Sequence, residues 1–330
     1  MALTLDEILA FRSVSDVQLS PDGGRFAFVV GDNHTTLLEV EKQPVRVSHS
    51  HIWLCGVSPG SVARQLTRGP RSDSLPRWSP DGETLAFLSD RAVLGQSQIY
   101  TLRVAVDATA ESTDDDDGAA ALTDVVGDIP TPRGLNAMQW DPDGQSIAFL
   151  LEEQPEHGDA AAAEREFGDD ALEYEAHPAF VRVYRVAVGS KVLSVVSPVS
   201  AGQIWEFAPG PGGSIAAVVS DAPFEWSWYA CRLVAFGGDD EADEKVRELA
   251  SPMSDGGGKS PAQSRQVAQP QWSPDGQKIA FVTSTWSDRG CVAGTLMVVN
   301  ADGTVTASLA ARVHLPKPLT GSACSMHLLT

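Results

Sequence analysis

The stretch Trp78-Ser79-Pro80-Asp81-Gly82-Glu83-Thr84-Leu85-Ala86-Phe87 returns, little changed, as Trp272-Ser273-Pro274-Asp275-Gly276-Gln277-Lys278-Ile279-Ala280-Phe281. Related copies carry their turns at Ser20 to Gly23 and at Asp141 to Gly144, and we predict a degraded fifth copy at Ala208-Pro209-Gly210. The prolines of the five copies recur about every 60 to 67 residues, a period typical of repeat architectures. They are Pro21, Pro80, Pro142, Pro209 and Pro274.

Each copy predicts a tight turn between two strands. Proline presets φ at the second turn position, aspartate can accept hydrogen bonds from nearby amides, and glycine tolerates the positive φ that closes the hairpin. Before each turn stands a large apolar residue, namely Leu19, Trp78, Trp140, Phe207 and Trp272. A β-branched residue in place of the glycine should therefore be costly.

The strand after each turn has an apolar-Ala-apolar-apolar pattern. These strands begin at Phe26, Leu85, Ile147, Ile215 and Ile279, and their second residues are Ala27, Ala86, Ala148, Ala216 and Ala280. Because alternate residues of a strand point to opposite faces, both faces of the sheet are apolar and both must be covered. We expect a neighbouring element to approach closely at the alanine.

Additional short apolar segments in each period, with almost no helical periodicity, indicate an all-β chain. They predict a β-propeller, in which each four-stranded blade lies between two neighbours; a sandwich gives no reason for five copies of one motif. We predict about five PD40/WD40-like blades over residues 13–310, a short helix from Leu5 to Arg12 within 1–12, and an atypical tail at 311–330. The helix rests on the capping-box pattern of Thr4 and Glu7.

The formal charge of −20 is concentrated in acidic segments at 111–117, 152–175 and 239–248. We interpret them as surface loops, or alternatively as an acidic rim that attracts cationic peptides or docks another domain. Phosphate would be repelled, so nucleic acid is not an expected partner.

Targeting and redox signals predict a cytoplasmic protein without a membrane anchor. The chain has no secretion signal and no apolar run of about 20 residues, the length needed to cross a bilayer. Its four cysteines are scattered without metal-ligand spacing, which favours a reducing compartment. They are Cys55, Cys231, Cys291 and Cys324.

The units at 78–87 and 272–281 resemble the propeller repeats of the prolyl oligopeptidase class (S9) of serine peptidases, and the acylaminoacyl-peptidase and dipeptidyl-peptidase branch in particular. The opening segment 13–21, the Gly168-Asp169-Asp170 end of an acidic segment, and Thr285 to Gly290 add to the resemblance. It extends from about Leu3 to Gly303. It implies an incomplete ring of about seven blades that precedes an α/β-hydrolase domain and gates the access of peptides to it.

The catalytic signature of that class is missing from this chain in the form that catalysis requires. One Gly-x-Ser-x-Gly match occurs, Gly56-Val57-Ser58-Pro59-Gly60, but no helical pattern follows it, whereas a nucleophile elbow joins a strand to a helix; no HGGG-type oxyanion segment occurs. We therefore predict no catalytic, cofactor-binding or metal-binding residue, no cofactor, and no peptidase activity of this chain alone. The implied partners are peptides and a C-terminal hydrolase domain of the intact protein.

An alternative hypothesis is a stand-alone TolB-like propeller that scaffolds protein partners. A propeller enzyme with a central metal is disfavoured, because the histidines do not cluster in the sequence.

Overall fold

The computed structural model describes residues 4, 11–40, 43–104, 122–124, 135–153, 178–238, 245–251, 266–287 and 290–313. Within these ranges twenty strands form five four-stranded antiparallel sheets, which confirms the all-β prediction. We call the sheets blades A to E in chain order. In every blade the strands are neighbours in the order in which they follow one another in the chain.

Blade A contains β1 (Arg12–Leu19), β2 (Arg25–Val40), β3 (Gln43–Gly56) and β4 (Arg64–Gln65); blade B contains β5 (Asp73–Trp78), β6 (Thr84–Val93), β7 (Gln96–Arg103) and β8 (Leu122–Asp124). Blade C contains β9 (Asn136–Trp140), β10 (Ser146–Glu152), β11 (Val181–Ala187) and β12 (Leu193–Val195). Blade D contains β13 (Gln203–Pro209), β14 (Ile215–Ser220), β15 (Arg232–Phe236) and β16 (Arg247–Ala250). Blade E contains β17 (Gln266–Trp272), β18 (Lys278–Ser287), β19 (Gly290–Asn300) and β20 (Val305–Val313).

Helix is scarce in the described ranges. It is limited to the four-residue α1 (Glu225–Trp228) and to 3-10 turns at Val199–Ala201 and Pro211–Gly213. Contacts divide the chain into two compact units, where the sequence predicted one array. The first unit contains blades A and B with β9, and the second contains β12 with blades D and E.

The repeated turn has the predicted geometry. In blade B the amide of Gly82 donates to the carbonyl oxygen of Ser79 at 2.9 Å, and the amide of Glu83 donates to Asp81 Oδ1 at 2.9 Å. The φ of Gly82 is 71°. Ser79 Oγ closes the hairpin, because it donates to the carbonyl oxygen of Thr84 and accepts from the amide of Thr84, both at 2.9 Å.

The turn aspartates are ionised structural groups. In blades A, B and E the serine hydroxyl donates to the carboxylate of Asp22, Asp81 and Asp275 respectively. This hydrogen bond, helped by a backbone amide, lowers the pKa of each carboxyl. These carboxylates therefore belong to the hairpin and not to a catalytic site.

The predicted fifth copy is wrong by two residues. The turn proline of blade D is Pro211 and not Pro209, because the amide of Gly210 donates to the carbonyl oxygen of Ser214 at 2.7 Å. The first turn residue of the other blades makes the corresponding bond to the carbonyl oxygen five residues ahead, so the turn of blade D is one residue shorter. The turn Gly210-Pro211-Gly212-Gly213 has lost both the serine and the aspartate of the repeat, which is why the sequence misplaced it.

Neighbouring blades confirm the corrected register. A Cβ atom at Gly276 would collide with the ring of Pro211, just as one at Gly82 would lie closest to the ring of Pro21. The residue before the turn of blade D is therefore Pro209, which pairs with Ile215. Phe207, predicted for that position, lies two residues earlier.

Blades pack through two different faces. In blade A, Ala27, Ile52 and Leu54 form one face, which packs on Leu85 and Phe87 of blade B. We call the face of a blade that carries the repeated alanine its alanine face, and the opposite face, which carries Phe87 in blade B, its phenylalanine face. Alanine adds only a Cβ atom, so it leaves room for the phenylalanine ring of the next blade.

Blades D and E repeat this arrangement. Ala216, Val218 and Leu233 of blade D pack on Ile279 and Phe281 of blade E. The packing explains why the sequence keeps alanine at the second position of the strand.

The expected burial of the repeated alanine is confirmed in four blades and wrong in the fifth. Ala27, Ala86, Ala148 and Ala216 have no exposed surface. Ala280 is only partly buried, because no further described sheet covers the alanine face of blade E within the second unit.

The predicted ends of the chain differ from the structure in detail. Most of the predicted N-terminal helix, residues 5–10, lies outside the described residues, but Phe11 has no regular structure and Arg12 begins β1. At the other end β20 reaches Val313, three residues into the predicted tail. Residues 314–330, segment 111–117 and most of the other two acidic segments lie outside the described residues, as does Gly168-Asp169-Asp170.

Candidate functional site

The first strands of the blades differ in burial. The strands β5, β13 and β17 are largely buried, whereas β1 is mostly exposed. Because the blades of a propeller surround a central channel, the buried first strands are the place to look for a functional site.

Four of the first strands contain a left-handed residue at the same position, five residues before the turn proline. These residues are Asp16, Leu75, Ala137 and Gln269, with φ between 47° and 55°. In β1, β5 and β17 the pairing with the second strand shifts at this residue, which identifies a β-bulge. A left-handed residue other than glycine costs about 1 to 3 kcal/mol, and bulges commonly redirect side chains near functional sites.

A charge pair joins the first strands of blades A and B at this bulge. Arg77 Nη1 donates to both carboxylate oxygens of Asp16, at 2.9 and 3.0 Å, and to the carbonyl oxygen of Pro76 at 2.7 Å. The side chains of Arg77 and Asp16 are 8% and 20% exposed. Gln18 Nε2 donates to the same carboxylate at 2.8 Å. The bulge therefore holds a fixed, partly desolvated anion and cation.

Blade D has a second carboxyl at the same distance from its turn proline, although Glu206 itself pairs with Val218 and the pairing shift of β13 lies just before it. Glu206 lies five residues before Pro211, and its Oε2 accepts a hydrogen bond from the amide of the bulge residue Gln269. Although Glu206 keeps some exposed surface, the protein around its carboxyl raises the pKa to about 7, against the opposing effect of the Gln269 amide. This carboxyl therefore changes its charge near neutral pH.

The nearby thiol is chemically inert. Cys231 is fully buried, and its Sγ lies 3.5 Å from the carbonyl oxygen of Val267. Burial raises the pKa of the thiol to about 11. Since the thiolate is the reactive form of cysteine, Cys231 is not a nucleophile at neutral pH.

A histidine–aspartate contact also occurs, but its surroundings are structural. His51 Nδ1 lies 3.5 Å from Asp73 Oδ2, and Arg91 Nη2 donates to Asp73 Oδ1 at 2.8 Å. Asp73 is buried; burial opposes ionisation, but hydrogen bonds from His51 and its neighbours keep the pKa of the carboxyl below its ordinary value. Because Arg91 already neutralises Asp73, the contact fastens β3 to β5 and does not resemble a catalytic dyad.

A groove of about 710 Å³ opens beside β12 in the second unit. Its walls include Arg185, Val195, Val199 and Gly213, and Arg185 Nη2 donates to the carbonyl oxygen of Gly213 at 3.2 Å. Val195 and Val199 are 54% and 78% exposed. The groove offers a shallow surface for contact and no pair of ionisable groups for chemistry.

Among the described residues, no group of three histidine, cysteine or carboxylate side chains is arranged to hold a metal ion. In the same part of the chain, no helix has the length and apolar character needed to cross a membrane.

The sequence predicted no catalytic, cofactor-binding or metal-binding residues, and that stays a prediction. It missed the carboxyls of Asp16 and Glu206, each of which lies five residues before the turn proline of its blade. The corresponding residues in blades B, C and E are leucine, alanine and glutamine, so the position carries no periodic signal. The misplaced turn proline of blade D hid the correspondence further.

Comparison with known proteins adds a distant sequence relative. No family model matches the chain. A stretch of 149 residues is 36% identical to the uncharacterized peptidase YuxL of Bacillus subtilis (strain 168), and the match covers 45% of this chain and 19% of that protein. The chain thus accounts for less than a fifth of the relative's length.

Solved structures share the fold at low identity. An acylaminoacyl peptidase of Pyrococcus horikoshii superposes with a TM-score of 0.52 at 13% identity, covering 90% of this chain and 39% of that one. An oligogalacturonate lyase of Vibrio parahaemolyticus gives 0.51 at 14% identity, covering 86% and 60%. A puromycin hydrolase gives 0.50 at 16% identity, covering 92% and 38%.

The fold is a β-propeller. The predicted repeat is thereby confirmed, and peptidases occur among both the sequence relatives and the fold relatives of this propeller. At such low identity the solved structures show the fold alone.

Proposed function

We propose that this chain is the propeller portion of a serine peptidase of the prolyl oligopeptidase class, and that it controls which peptides reach a hydrolase domain. The observation that carries the proposal is the 36% identity to a peptidase over 149 residues. The fold shared with an acylaminoacyl peptidase supports it, since more than half of that protein lies outside the match.

The filter works sterically. Side-by-side packing of the alanine and phenylalanine faces makes neighbouring blades difficult to separate, so the propeller admits an extended peptide and excludes a folded protein. The carboxyls of Asp16 and Glu206 lie on first strands of their blades; Arg77 neutralises the first, and the second changes its charge near pH 7.

The proposal assigns no chemistry to the propeller itself. An activated nucleophile needs a base within reach and a preorganised oxyanion site, and the Gly-x-Ser-x-Gly match at 56–60 lies in the connection between the strands β3 and β4 and not between a strand and a helix. The peptides and the hydrolase domain are the expected partners. A cytoplasmic location belongs to the proposal and agrees with the free thiols of Cys55 and Cys231.

The first test is the coding DNA downstream of the Thr330 codon. We expect a hydrolase segment with a Gly-x-Ser-x-Gly elbow, in frame or displaced by a frameshift. A downstream region without such a segment would contradict the proposal.

The second test uses that segment expressed with and without this chain. A short chromogenic acyl-peptide should be hydrolysed at similar rates in both samples, whereas degradation of a long unfolded protein such as casein should be suppressed by this chain. Equal degradation of the long substrate in both samples would refute the gate while leaving the family assignment intact.

A further inference from the structure

We propose that the connection between β14 and β15 of blade D binds an arginine side chain of an extended peptide. The connection contains α1, and we call residues 224–229 the aromatic turn, because four of these six residues are aromatic. They are Phe224, Trp226, Trp228 and Tyr229. The turn lies wholly within the second unit. The inference concerns this chain alone and is independent of the proposed peptidase function.

Two rings of the aromatic turn face solvent. Trp226 is 60% exposed and Tyr229 is 42% exposed. Every other tryptophan whose side chain the structure describes is buried or partly buried. Tyr229 continues the helical backbone of α1, and residues three apart in a helical turn are neighbours on its surface. Tryptophan and tyrosine are among the residues that dominate binding surfaces, so this pair of exposed rings is a candidate contact site.

The turn is held in place on blade D. The amide of Ala222 donates to Oγ of the buried Ser227 at 3.2 Å, and the amide of Ser227 donates to the carbonyl oxygen of Phe224 at 2.9 Å. Ser220 Oγ donates to the carbonyl oxygen of Ala222 at 2.9 Å. The rings of Phe224 and Trp226 stack with their centroids 6.3 Å apart. Because the rings are fixed before a ligand arrives, binding loses less conformational entropy.

The charged groups near the turn carry an excess of negative charge. Arg232 Nη1 lies 2.8 Å from Asp221 Oδ1, and its Nε lies 3.7 Å from Glu248 Oε2, so two carboxylates share one guanidinium. Glu225 is exposed and forms no ion pair with another described residue. It is the residue before Trp226 and lies one helical turn before Tyr229. The exposed rings therefore lie beside a carboxyl that no described cation neutralises.

This combination of rings and charge selects an arginine side chain. A guanidinium is planar and stacks on aromatic faces, of which tryptophan is the best, and the carboxyl of Glu225 supplies the opposite charge. An anionic ligand would be repelled by these carboxylates and by the net charge of −20. A purely apolar ligand would desolvate Glu225 without pairing it. An extended peptide can present such a side chain to a surface turn without needing a cavity.

Fluorine NMR of the chain labelled with fluorotryptophan tests the proposal, and the Trp226→Phe variant identifies the resonance of Trp226. Titration with acetyl-Gly-Arg-Gly-Arg-Gly-amide to about 5 mM should shift that resonance toward saturation. The same peptide with citrulline at both arginine positions should not shift it, because citrulline has a similar shape without the charge. Higher salt should weaken the binding of the arginine peptide.

Variants measured by fluorescence anisotropy of the labelled arginine peptide locate the contact. Trp226→Ala should weaken binding by about 5- to 30-fold, as the loss of a cation–π contact does. Glu225→Gln should weaken it by about 2- to 5-fold, as the loss of an exposed ion pair does. Two matched controls should bind as the wild type does. Phe11→Ala removes a ring that is 56% exposed, and Glu83→Gln removes an exposed carboxyl, both outside the turn.

Circular dichroism and urea midpoints establish that each variant is folded, and Tyr229→Ser replaces Trp226→Ala if that variant unfolds. Three results would overturn the proposal. The first is a Trp226 resonance that the arginine peptide does not shift. The second is an equal shift with the citrulline peptide. The third is an affinity of Glu225→Gln no weaker than that of Glu83→Gln, which would mean that the peptide does not sense the carboxyl of the turn. None of these results bears on the downstream hydrolase segment, which tests the proposed function separately.

Discussion

Replacing Ala216 by leucine should test the packing of blades most directly. Ala216 has no exposed surface and belongs to the cluster that contains Phe281 of the next blade. Leucine adds three carbon atoms beyond Cβ, and the interface has no space for them. Forcing such a group into a packed interior typically costs about 1 to 3 kcal/mol, and we expect a loss of that size in the free energy of unfolding.

Ala280→Leu is the matched control, because Ala280 holds the same position in blade E but is only partly buried. The change there should stay within about 0.5 kcal/mol, as at other sites with free space. Urea denaturation followed by tryptophan fluorescence gives the midpoint and the slope, and together they give the free energy of unfolding.

The comparison has a clear negative outcome. If the two leucine variants lose the same free energy, burial against the next blade does not explain the repeated alanine. If Ala216→Leu is as stable as the wild type, the phenylalanine face does not approach as closely as the structure indicates.

Three further predictions address the site, the turns and catalysis. Since the pKa of Glu206 rises from 4.5 to about 7 on folding, the folded state holds a proton that the unfolded state has lost, and the free energy of unfolding should fall by about 2 to 3 kcal/mol between pH 4.5 and 7. Urea curves measured across this range should show that Glu206→Gln removes the fall. If the free energy of unfolding of the variant depends on pH as that of the wild type does, the buried carboxyl is refuted. In the same assay, Gly276→Ala should lower the free energy of unfolding by at least about 1 kcal/mol more than Gly23→Ala does. Both glycines have positive φ, but only a Cβ atom at position 276 would press against Pro211. Equal losses would contradict the corrected turn of blade D. The purified chain should show no labelling by a fluorophosphonate probe relative to a heat-denatured control, since its Gly-x-Ser-x-Gly match at 56–60 connects two strands and is not the strand-to-helix turn of a nucleophile elbow. Stoichiometric labelling of one serine in the native sample alone would overturn the non-catalytic prediction.

Local chemistry allowed the sequence to predict the blade. In the turn at Ser79 to Gly82, every hydrogen bond that closes the hairpin joins residues no more than five positions apart. Proline and glycine set their own φ values there, and the alternation of apolar residues marks both faces of the following strand. Such features need no distant partner, so they are readable in the chain.

Local chemistry also explains where that prediction was wrong. Blade D keeps glycines and a proline in its turn but lacks the serine and aspartate, and prolines occur at both Pro209 and Pro211. With no serine or aspartate side chain to mark the register in the sequence, the backbone hydrogen bond of Gly210 and the contact of Pro211 with the turn of blade E identified the correct proline.

The candidate site depended on tertiary structure throughout. The left-handed position is occupied by four different residue types, and the partner of Asp16 is Arg77, 61 residues away along the chain. The pKa of Glu206 is raised because protein surrounds its carboxyl. Ala280 is partly exposed because no described sheet of its unit covers it. The sequence determined the repeating unit because the hydrogen bonds of the turn join residues close in the chain. The charge of Glu206, the left-handed residues of the first strands and the burial of the repeated alanines depend on contacts between residues far apart in the chain, so only the tertiary structure decided them.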